Sequence, residues 1–160
     1  MPDTDIRAIA TDDAPAPAGH YSQAVAAGGY LYISGQLPLR PDRSPLSDTR
    51  FEAQAAQALD NVLQILAAAG GRPERLARVT AYIVGVENWA SFNAVYAAKL
   101  SNARPARTVV PVAELHHGFL VEIHAIAVLT ADDGEREYGN KRRSQTLSNY
   151  WMGAIPTGCC

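Results

Sequence analysis

The pattern of apolar and polar positions along the chain predicts six strands. Short runs that are apolar or alternating, and rich in β-branched and aromatic residues, are typical of strands. The runs that fit this description are 6–10, 21–27, 30–34, 76–86, 107–113 and 119–129. Gly28 and Gly29 separate the second run from the third, and such a pair predicts a tight hairpin turn.

Two longer segments carry apolar residues at helical spacing. The first lies between a predicted capping box, Thr49 with Glu52, and a predicted stop at Gly70 and Gly71. Its apolar stripe includes Ala55, Leu59, Val62 and Leu66. We expect Asn88 to cap the second helix. The apolar face of that helix is formed by Phe92, Tyr96 and Leu100.

The predicted order of elements is β-β-β-α-β-α-β-β. Helices that alternate only loosely with strands indicate an α+β fold, in which the helices pack on one face of a single sheet. The last strand, FLVEIHAIAVL at 119–129, is apolar on nearly both faces. We therefore expect a partner subunit to cover the face that the helices leave open.

Composition narrows the class of protein. The chain has 160 residues, 48% of them hydrophobic and 19% charged, which fits one ordinary globular core. A formal charge of -2 disfavours nucleic acid and anionic membrane as partners. No apolar run reaches the ~20 residues that span a bilayer, and the amino terminus lacks the pattern of a signal peptide. The two cysteines, Cys159 and Cys160, exclude a disulfide framework, so we expect a cytoplasmic protein.

The character of the chain changes near Thr130. Residues 130–160 are polar, charged and irregular over most of their length. We interpret them as a C-terminal extension of unknown role, attached to a domain that spans 1–129. The run 141–143 (KRR) is too short to predict a nucleic-acid site and is interpreted as solvated surface.

Arg107 and Glu122 are charged residues set inside strand patterns. One interpretation is structural: the two form a salt bridge between adjacent strands, or Glu122 simply faces solvent. The other is functional. The planar guanidinium of Arg107 is suited to a bidentate clamp on a substrate carboxylate. Glu122 could then hold or activate a water as a general base.

Several motifs occur in an order that resembles the reactive intermediate deaminase family, also called Rid or YjgF. They are GHYSQAV, SGQLP, EAQAAQALDNVLQILAAAGG, FNAVY, PARTVVPVAEL and VEIHAIA. The resemblance covers roughly residues 6–129. Each motif alone is weak, but PART followed at this spacing by VEI-x-AIA, together with SGQ, is a specific signature.

The resemblance implies a chorismate-mutase-like α+β fold with a mostly antiparallel sheet. It further implies a homotrimer with active sites between subunits. Members that keep the arginine of PART hydrolyse enamines and imines, such as 2-aminoacrylate, to 2-keto acids and ammonia. This is the 2-iminobutanoate/2-iminopropanoate deaminase type of hydrolase, and it needs no metal or organic cofactor. On this basis 1–129 is a Rid-like deaminase domain.

The resemblance also assigns roles to individual residues. Arg107 matches the residue that binds the substrate carboxylate, and Glu122 matches the glutamate that positions the attacking water. The residues that match pocket-lining or supporting positions are Tyr21, Ser34, Gly35, Asn93 and Val109. Val109 stands where many relatives carry cysteine, so it is expected to contribute only its backbone.

The four histidines depart from the family pattern. His124 replaces a second glutamate, and strand alternation puts it on the same face as Glu122. It is a candidate modulator of Glu122, although the simpler interpretation is a partly buried histidine with one hydrogen bond. His20, His116 and His117 show no recognised ligand spacing with it, so no metal site is predicted.

The sequence is also compatible with other functions. The histidines and the extension fit a specialised member that acts on a larger imine in a biosynthetic pathway. A non-catalytic trimer that binds a small ligand would need Arg107 alone. Endoribonuclease activity is disfavoured, because the charge is negative and no basic surface with interleaved aromatic residues is visible. The expected partner is therefore a small imine or 2-keto acid.

Overall fold

The computed structural model describes residues 6–129, which form six strands and two α-helices. The predicted order of elements is confirmed. The elements are β1 Arg7–Ile9, β2 Ala24–Ala27, β3 Tyr30–Gln36, α1 Phe51–Ala68, β4 Leu76–Val84, α2 Trp89–Leu100, β5 Ala106–Val112 and β6 Val121–Val128. The predicted extension at 130–160, with its KRR run and both cysteines, lies outside the described residues.

All six strands belong to one sheet in the order β1-β2-β3-β6-β4-β5. Every neighbouring pair is antiparallel except β4 and β5, which are parallel. The parallel pair follows from the connection, because α2 carries the chain from the end of β4 back to the start of β5. The α+β class with a mostly antiparallel sheet is confirmed.

The core lies between one face of the sheet and the two helices. Strand β6 shows the arrangement most clearly, since its residues alternate between buried and half-buried along the whole strand. The core positions of β6 are Val121, Ile123, Ala125 and Ala127. The alternate positions, with their cross-strand neighbours, form what we call the open face. The predicted apolar faces of both helices are buried in the core.

The start of α1 differs from the prediction. Its N-cap is Arg50, whose side chain makes no capping hydrogen bond. Thr49 lies one residue earlier, and its hydroxyl donates instead to the Leu46 carbonyl at 2.6 Å. The predicted capping box is therefore wrong, because Thr49 is used to close the preceding turn rather than to satisfy the helix. Asn88 does stand at the N-cap of α2, but its amide donates to the Val84 carbonyl at 2.9 Å.

The end of α1 follows the prediction. Gly70 has φ of 81°, and its N–H donates to the Ala67 carbonyl at 2.9 Å. The Gly71 N–H donates to the Leu66 carbonyl at 2.9 Å. These two bonds form a Schellman motif, which needs a residue in the left-handed conformation and so favours glycine. The stop predicted at this glycine pair is confirmed.

Strand boundaries shift by a few residues from the prediction. Strand β2 begins at Ala24, not at residue 21, because the Tyr21 N–H closes a tight turn on the Gly19 carbonyl at 3.0 Å. Strand β3 continues to Gln36 through an irregularity in its pairing with β6. The predicted hairpin is confirmed, since Gly28 and Gly29 have φ of 57° and 81°.

Three buried amide side chains anchor the loops around the sheet. Gln23 donates to three carbonyls of the segment 11–15 and accepts from its Thr11 N–H. Asn61 donates to the carbonyls of Leu37 and Leu39. Gln54 is 0% exposed and ties the loop before α1 to the start of β6. Because a buried amide must satisfy each of its polar atoms, these side chains hold the loops in defined positions.

Candidate active site

Arg107 lies on β5 against the side of α2. Its Nη1 donates to Asn93 Oδ1 at 3.1 Å. Its guanidinium carbon lies 4.8 Å from the ring centre of Tyr96 and 5.9 Å from that of Phe92. Among residues 6–129, no carboxylate forms an ion pair with Arg107. The exposed guanidinium therefore has aromatic and amide neighbours but keeps its charge without a countercharge there.

Glu122 lies on β6, and its carboxylate rests against the backbone of β3 at Gly35. A Cβ added to Gly35 would collide with Glu122 Oε1 and would lie 3.1 Å from Glu122 Cδ. Gly35 sits where the pairing of β3 with β6 shifts between Ile33 and Gln36. Such an irregularity re-aims side chains, and the missing side chain at Gly35 leaves the space that the carboxylate occupies.

Ser34 directly precedes Gly35 on β3 and is bonded to the segment that follows Tyr21. The Ser34 hydroxyl donates to the Ser22 carbonyl at 2.7 Å, and the Ser34 N–H donates to the Gln23 carbonyl at 3.0 Å. Tyr21 precedes these residues directly; its side chain is 53% exposed, and its hydroxyl accepts from the Ala18 N–H at 3.3 Å. Ser34 is thus fixed by its neighbours, while the ring of Tyr21 stays accessible.

The predicted site residues therefore form two groups, which we call the arginine half and the glutamate half. The arginine half consists of Asn93, Arg107 and Val109. The glutamate half consists of Tyr21, Ser34, Gly35 and Glu122. The paired positions of the strands show that the halves face opposite ways. Arg107 pairs with the core residue Val79, whereas Glu122 pairs with Tyr82 on the open face.

The structural interpretation, in which Arg107 and Glu122 of one chain form a salt bridge between adjacent strands, is wrong. Strands β5 and β6 are not adjacent, because β4 lies between them. The two side chains also leave the sheet on opposite faces. The prediction failed because sequence order placed β5 next to β6, whereas the crossover through α2 places β5 beside β4 at the sheet edge.

His124 lies on the open face, two residues from Glu122, as strand alternation predicted. Its ring stacks on Tyr82, with centroids 6.0 Å apart and an interplanar angle of 19°. Tyr82 is also the cross-strand neighbour of Glu122. His124 and Glu122 are thus linked through one aromatic ring rather than by a direct hydrogen bond.

A shallow depression of about 380 Å³ occupies the open face around His124. Its lining residues are Arg78, Thr80, Tyr82, Thr108, Val110, His124 and Ile126. Neither Arg107 nor Glu122 lines it. The depression therefore belongs to the exposed surface of the sheet and does not join the two halves of the site.

The remaining histidines are dispersed. His116 and His117 lie in a short 3₁₀ turn at His116–Gly118, with ring centroids 6.2 Å apart. His20 is exposed in the loop before Tyr21. Across residues 6–129, no three histidine, cysteine, aspartate or glutamate side chains gather as metal ligands.

Two residues that contact the arginine half were identified from the sequence only as core residues. Phe92 and Tyr96 were expected to be the apolar face of α2, and they are 1% and 8% exposed. The structure adds that both rings lie beneath Arg107. The signal in the sequence was their position in FNAVY, where the spacing of four puts both on one side of the helix next to Asn93.

The α+β sheet thus carries, among residues 6–129, an arginine without a carboxylate partner on one face and a carboxylate set against a glycine bulge on the other. The family model described as endoribonuclease L-PSP matches residues 11–129. The chain belongs to this family, which is also known as YjgF or Rid. The resemblance stated from the sequence motifs is therefore confirmed.

Individual relatives agree with this assignment. A RutC family protein of Pyrococcus horikoshii is 40% identical over 119 residues, which cover 74% of this chain and 94% of that protein. The crystal structure of RidA from the Antarctic bacterium Psychrobacter sp. is 40% identical with a TM-score of 0.73, covering 77% of this chain and 99% of that one. The YjgF gene product of E. coli is 37% identical with a TM-score of 0.72, covering 76% and 98%.

A further solved structure contains a ligand. E. coli TdcF with bound serine is 32% identical to this chain with a TM-score of 0.73, covering 78% of this chain and 99% of that one. Within residues 6–129, neither helix is long and apolar enough to cross a membrane.

Proposed function

We propose that this protein hydrolyses small imines and enamines of the 2-aminoacrylate type to 2-keto acids and ammonia. Membership of the Rid family supports imine and enamine deaminase chemistry in general. The observation that carries the particular reaction is the environment of Arg107, an exposed guanidinium without a carboxylate partner among residues 6–129. A charge in that state suits a carboxylate that arrives with a substrate.

Arg107 binds the substrate carboxylate in this proposal, and Asn93 and the backbone at Val109 line the same half. The Asn93 amide accepts from one guanidinium nitrogen at 3.1 Å, which leaves other donors of the fork for the ligand. A bidentate contact of this kind fixes the orientation of the imine carbon as well as adding binding energy.

Glu122 holds the attacking water and accepts its proton in this proposal. The water oxygen bonds to the imine carbon, and the C=N double bond becomes a single bond as Glu122 passes the proton it accepted to the nitrogen, which gives a carbinolamine. Glu122 then takes the proton of the new hydroxyl and returns it to the amine, so that the carbon–nitrogen bond breaks, ammonia leaves, and the C=O of the 2-keto acid forms. Acid–base help of this kind contributes on the order of 10²–10⁴-fold. Tyr21, Ser34 and Gly35 border the substrate.

The two halves must come from different copies of the chain, because Arg107 and Glu122 leave opposite faces of the sheet. We therefore propose a homotrimer with active sites between subunits. The open face supports this assembly, since it exposes apolar and aromatic side chains such as Tyr30 and Tyr32, which are 45% and 47% exposed.

His124 modulates the glutamate half in this proposal, through the Tyr82 ring that neighbours both. The stacked imidazole packs against Tyr82, the cross-strand neighbour of Glu122, so its removal changes the surroundings of the carboxylate. The expected test is His124→Gln, which lowers kcat for 2-iminopropionate without abolishing activity. An unchanged kcat would leave His124 a structural residue.

The test of the proposed reaction follows the decay of 2-iminopropionate released in solution. Wild type accelerates the decay above the uncatalysed rate, and both Arg107→Ala and Glu122→Gln return it toward that rate. Arg104→Ala is the matched control, because Arg104 is an exposed arginine three residues earlier in the chain. Equal rates for wild type and Arg107→Ala would refute the proposal.

The same experiment separates the other functions. A non-catalytic ligand-binding trimer binds 2-keto acids through Arg107 but leaves imine decay at the uncatalysed rate. A member specialised for a larger imine leaves 2-iminopropionate nearly untouched and accelerates bulkier imines with the same dependence on Arg107. Endoribonuclease activity, which the family description names, predicts RNA cleavage that disappears in Glu122→Gln.

A further inference from the structure

Tyr96 is a buried residue of α2 with no role in the proposed reaction, and its ring lies next to Arg107. Tyr96 is 8% exposed, and its hydroxyl has no hydrogen-bond partner among the described residues. Burying a hydroxyl without a partner is unfavourable, so phenylalanine would suit a purely structural position better. The ring is nevertheless placed with its centre 4.8 Å from the guanidinium carbon of Arg107.

The side chain of Arg107 is long and exposed, so it adopts one geometry only if neighbouring groups hold it there. An arginine side chain has many rotamers and loses their entropy when it is held in one geometry. Only one contact in the described residues, the 3.1 Å bond to Asn93, is a hydrogen bond that fixes it. Asn93 is itself exposed and holds a single guanidinium nitrogen, which permits the group to swing about that bond.

The aromatic rings restrict that swing. Phe92 and Tyr96 are one helical turn apart on α2, and their ring centres are 5.6 Å apart. The guanidinium lies within 6 Å of both centres, which is the distance range of a cation–π interaction. Because both rings are buried in the core, the surface they offer to Arg107 is rigid.

We propose that Tyr96 is a positioning residue that holds the Arg107 guanidinium on its ring face, so that the donors not used by Asn93 stay presented to a substrate carboxylate. This inference rests on the proposed function only in naming the carboxylate. The geometry of the ring and the guanidinium stands without it. Tyr96 touches Arg107 and acts on the substrate through it.

The activity test compares Tyr96→Leu with Tyr96→Phe. Removing the ring in Tyr96→Leu raises KM for 2-iminopropionate roughly 2- to 30-fold, the range of a cation–π contact, and changes kcat less. Tyr96→Phe keeps the ring and restores most of the loss. Leu100→Ala is the matched control: it shortens a buried side chain one turn further along the same face of α2, away from Arg107, and leaves KM unchanged. Equal KM values for wild type and Tyr96→Leu would overturn the proposal.

A second readout does not depend on activity. The Nε–H resonance of Arg107, identified by its loss in Arg107→Lys, should carry a ring-current shift in wild type and in Tyr96→Phe. In Tyr96→Leu it moves toward the position of a free arginine. If wild type fails to hydrolyse imines but shows this shift, the proposed reaction fails and the role of Tyr96 stands. A resonance that does not respond to Tyr96→Leu overturns the role, whatever the activity.

Discussion

Arg107 and Glu122 lie in the same sheet but face opposite sides of it. Arg107 pairs with the core residue Val79, and Glu122 pairs with Tyr82 on the open face. Strand β4 separates their strands. One chain therefore cannot bring both side chains to one substrate, and any reaction that uses both requires at least two copies.

Mixed oligomers provide the first prediction. Arg107→Ala and Glu122→Gln are each inactive alone, but co-refolding equal amounts restores about a quarter of the wild-type rate. This fraction follows because a site between two subunits is complete only when one supplies the native arginine and the other the native glutamate. The measurement is imine decay after co-refolding.

The control for this experiment mixes Arg107→Ala with the double variant Arg107→Ala/Glu122→Gln. That mixture contains no intact arginine half and stays inactive. Light scattering must show that mixed oligomers form. If they form and no activity returns, the two halves do not act across subunits.

Gly35 is predicted to control the placement of Glu122. Gly35→Ala puts a methyl group where Glu122 Oε1 lies, so the carboxylate must move. We expect kcat to fall on the order of 10²-fold, the contribution of a positioned base, with a smaller change in KM. The free energy of unfolding changes little, because the displaced atom is the end of a flexible side chain rather than backbone.

Combining Gly35→Ala with Glu122→Gln tests whether Gly35 affects kcat through Glu122. If Gly35 acts through Glu122, Gly35→Ala/Glu122→Gln is no slower than Glu122→Gln alone. Additive losses would mean that Gly35 contributes to the reaction by a different contact.

Tyr96 gives a prediction about pH. Burial raises the pKa of Tyr96 above its ordinary value near 10, and the charge of Arg107 lowers it by a smaller amount. The folded protein therefore keeps this proton to higher pH than the unfolded chain does. The ionisation of Tyr96 therefore leaves the free energy of unfolding unchanged below about pH 10 and lowers it as the pH rises through the raised pKa.

The measurement compares wild type with Tyr96→Phe in urea unfolding at pH 8 and near pH 11. Removing the hydroxyl without a partner makes Tyr96→Phe more stable at pH 8, by about 1 kcal/mol. That advantage grows at the higher pH, because only wild type has the titrating group. A difference independent of pH would contradict the assigned cause.

Gln54 is predicted to be the most sensitive of the buried amides. Its Oε1 accepts from the Leu120 N–H at 2.9 Å, and its Nε2 donates to the carbonyls of Ser47 and Thr49 at 3.2 and 3.1 Å. Gln54→Leu leaves these backbone groups without their partner and lowers the free energy of unfolding by about 2–4 kcal/mol. Gln57→Leu, which removes one half-buried bond on the same helix, is the control and has a smaller effect.

Local patterns in the sequence predicted the elements because each pattern has a local cause. The glycine pair at 28 and 29 formed its hairpin, and Gly70 ended α1, because both need the left-handed backbone conformation. The alternation in β6 placed Glu122 and His124 on one face, since strand side chains alternate strictly. The identities of the candidate residues came from motifs that are themselves local, such as PART and FNAVY.

Local patterns failed where a residue had a choice of partners. Thr49 was predicted to cap α1, but its hydroxyl bonds to Leu46 instead. Tyr96 was predicted to be a core residue; its spacing places it on the side of α2 next to Asn93, but not under Arg107, which comes from a different strand. Such contacts depend on which elements become neighbours in space, and several partners were equally available along the chain.

The sequence by itself determined the elements, their order, the α+β class and the residues with chemical potential. The tertiary structure alone decided that β5 pairs with β4 rather than β6, and that Arg107 and Glu122 therefore face away from each other. The physical reason is that strand order depends on how the whole core packs. A crossover between parallel strands is right-handed, so the side of β4 on which β5 lies is fixed only once packing has decided which face of the sheet α1 and α2 cover.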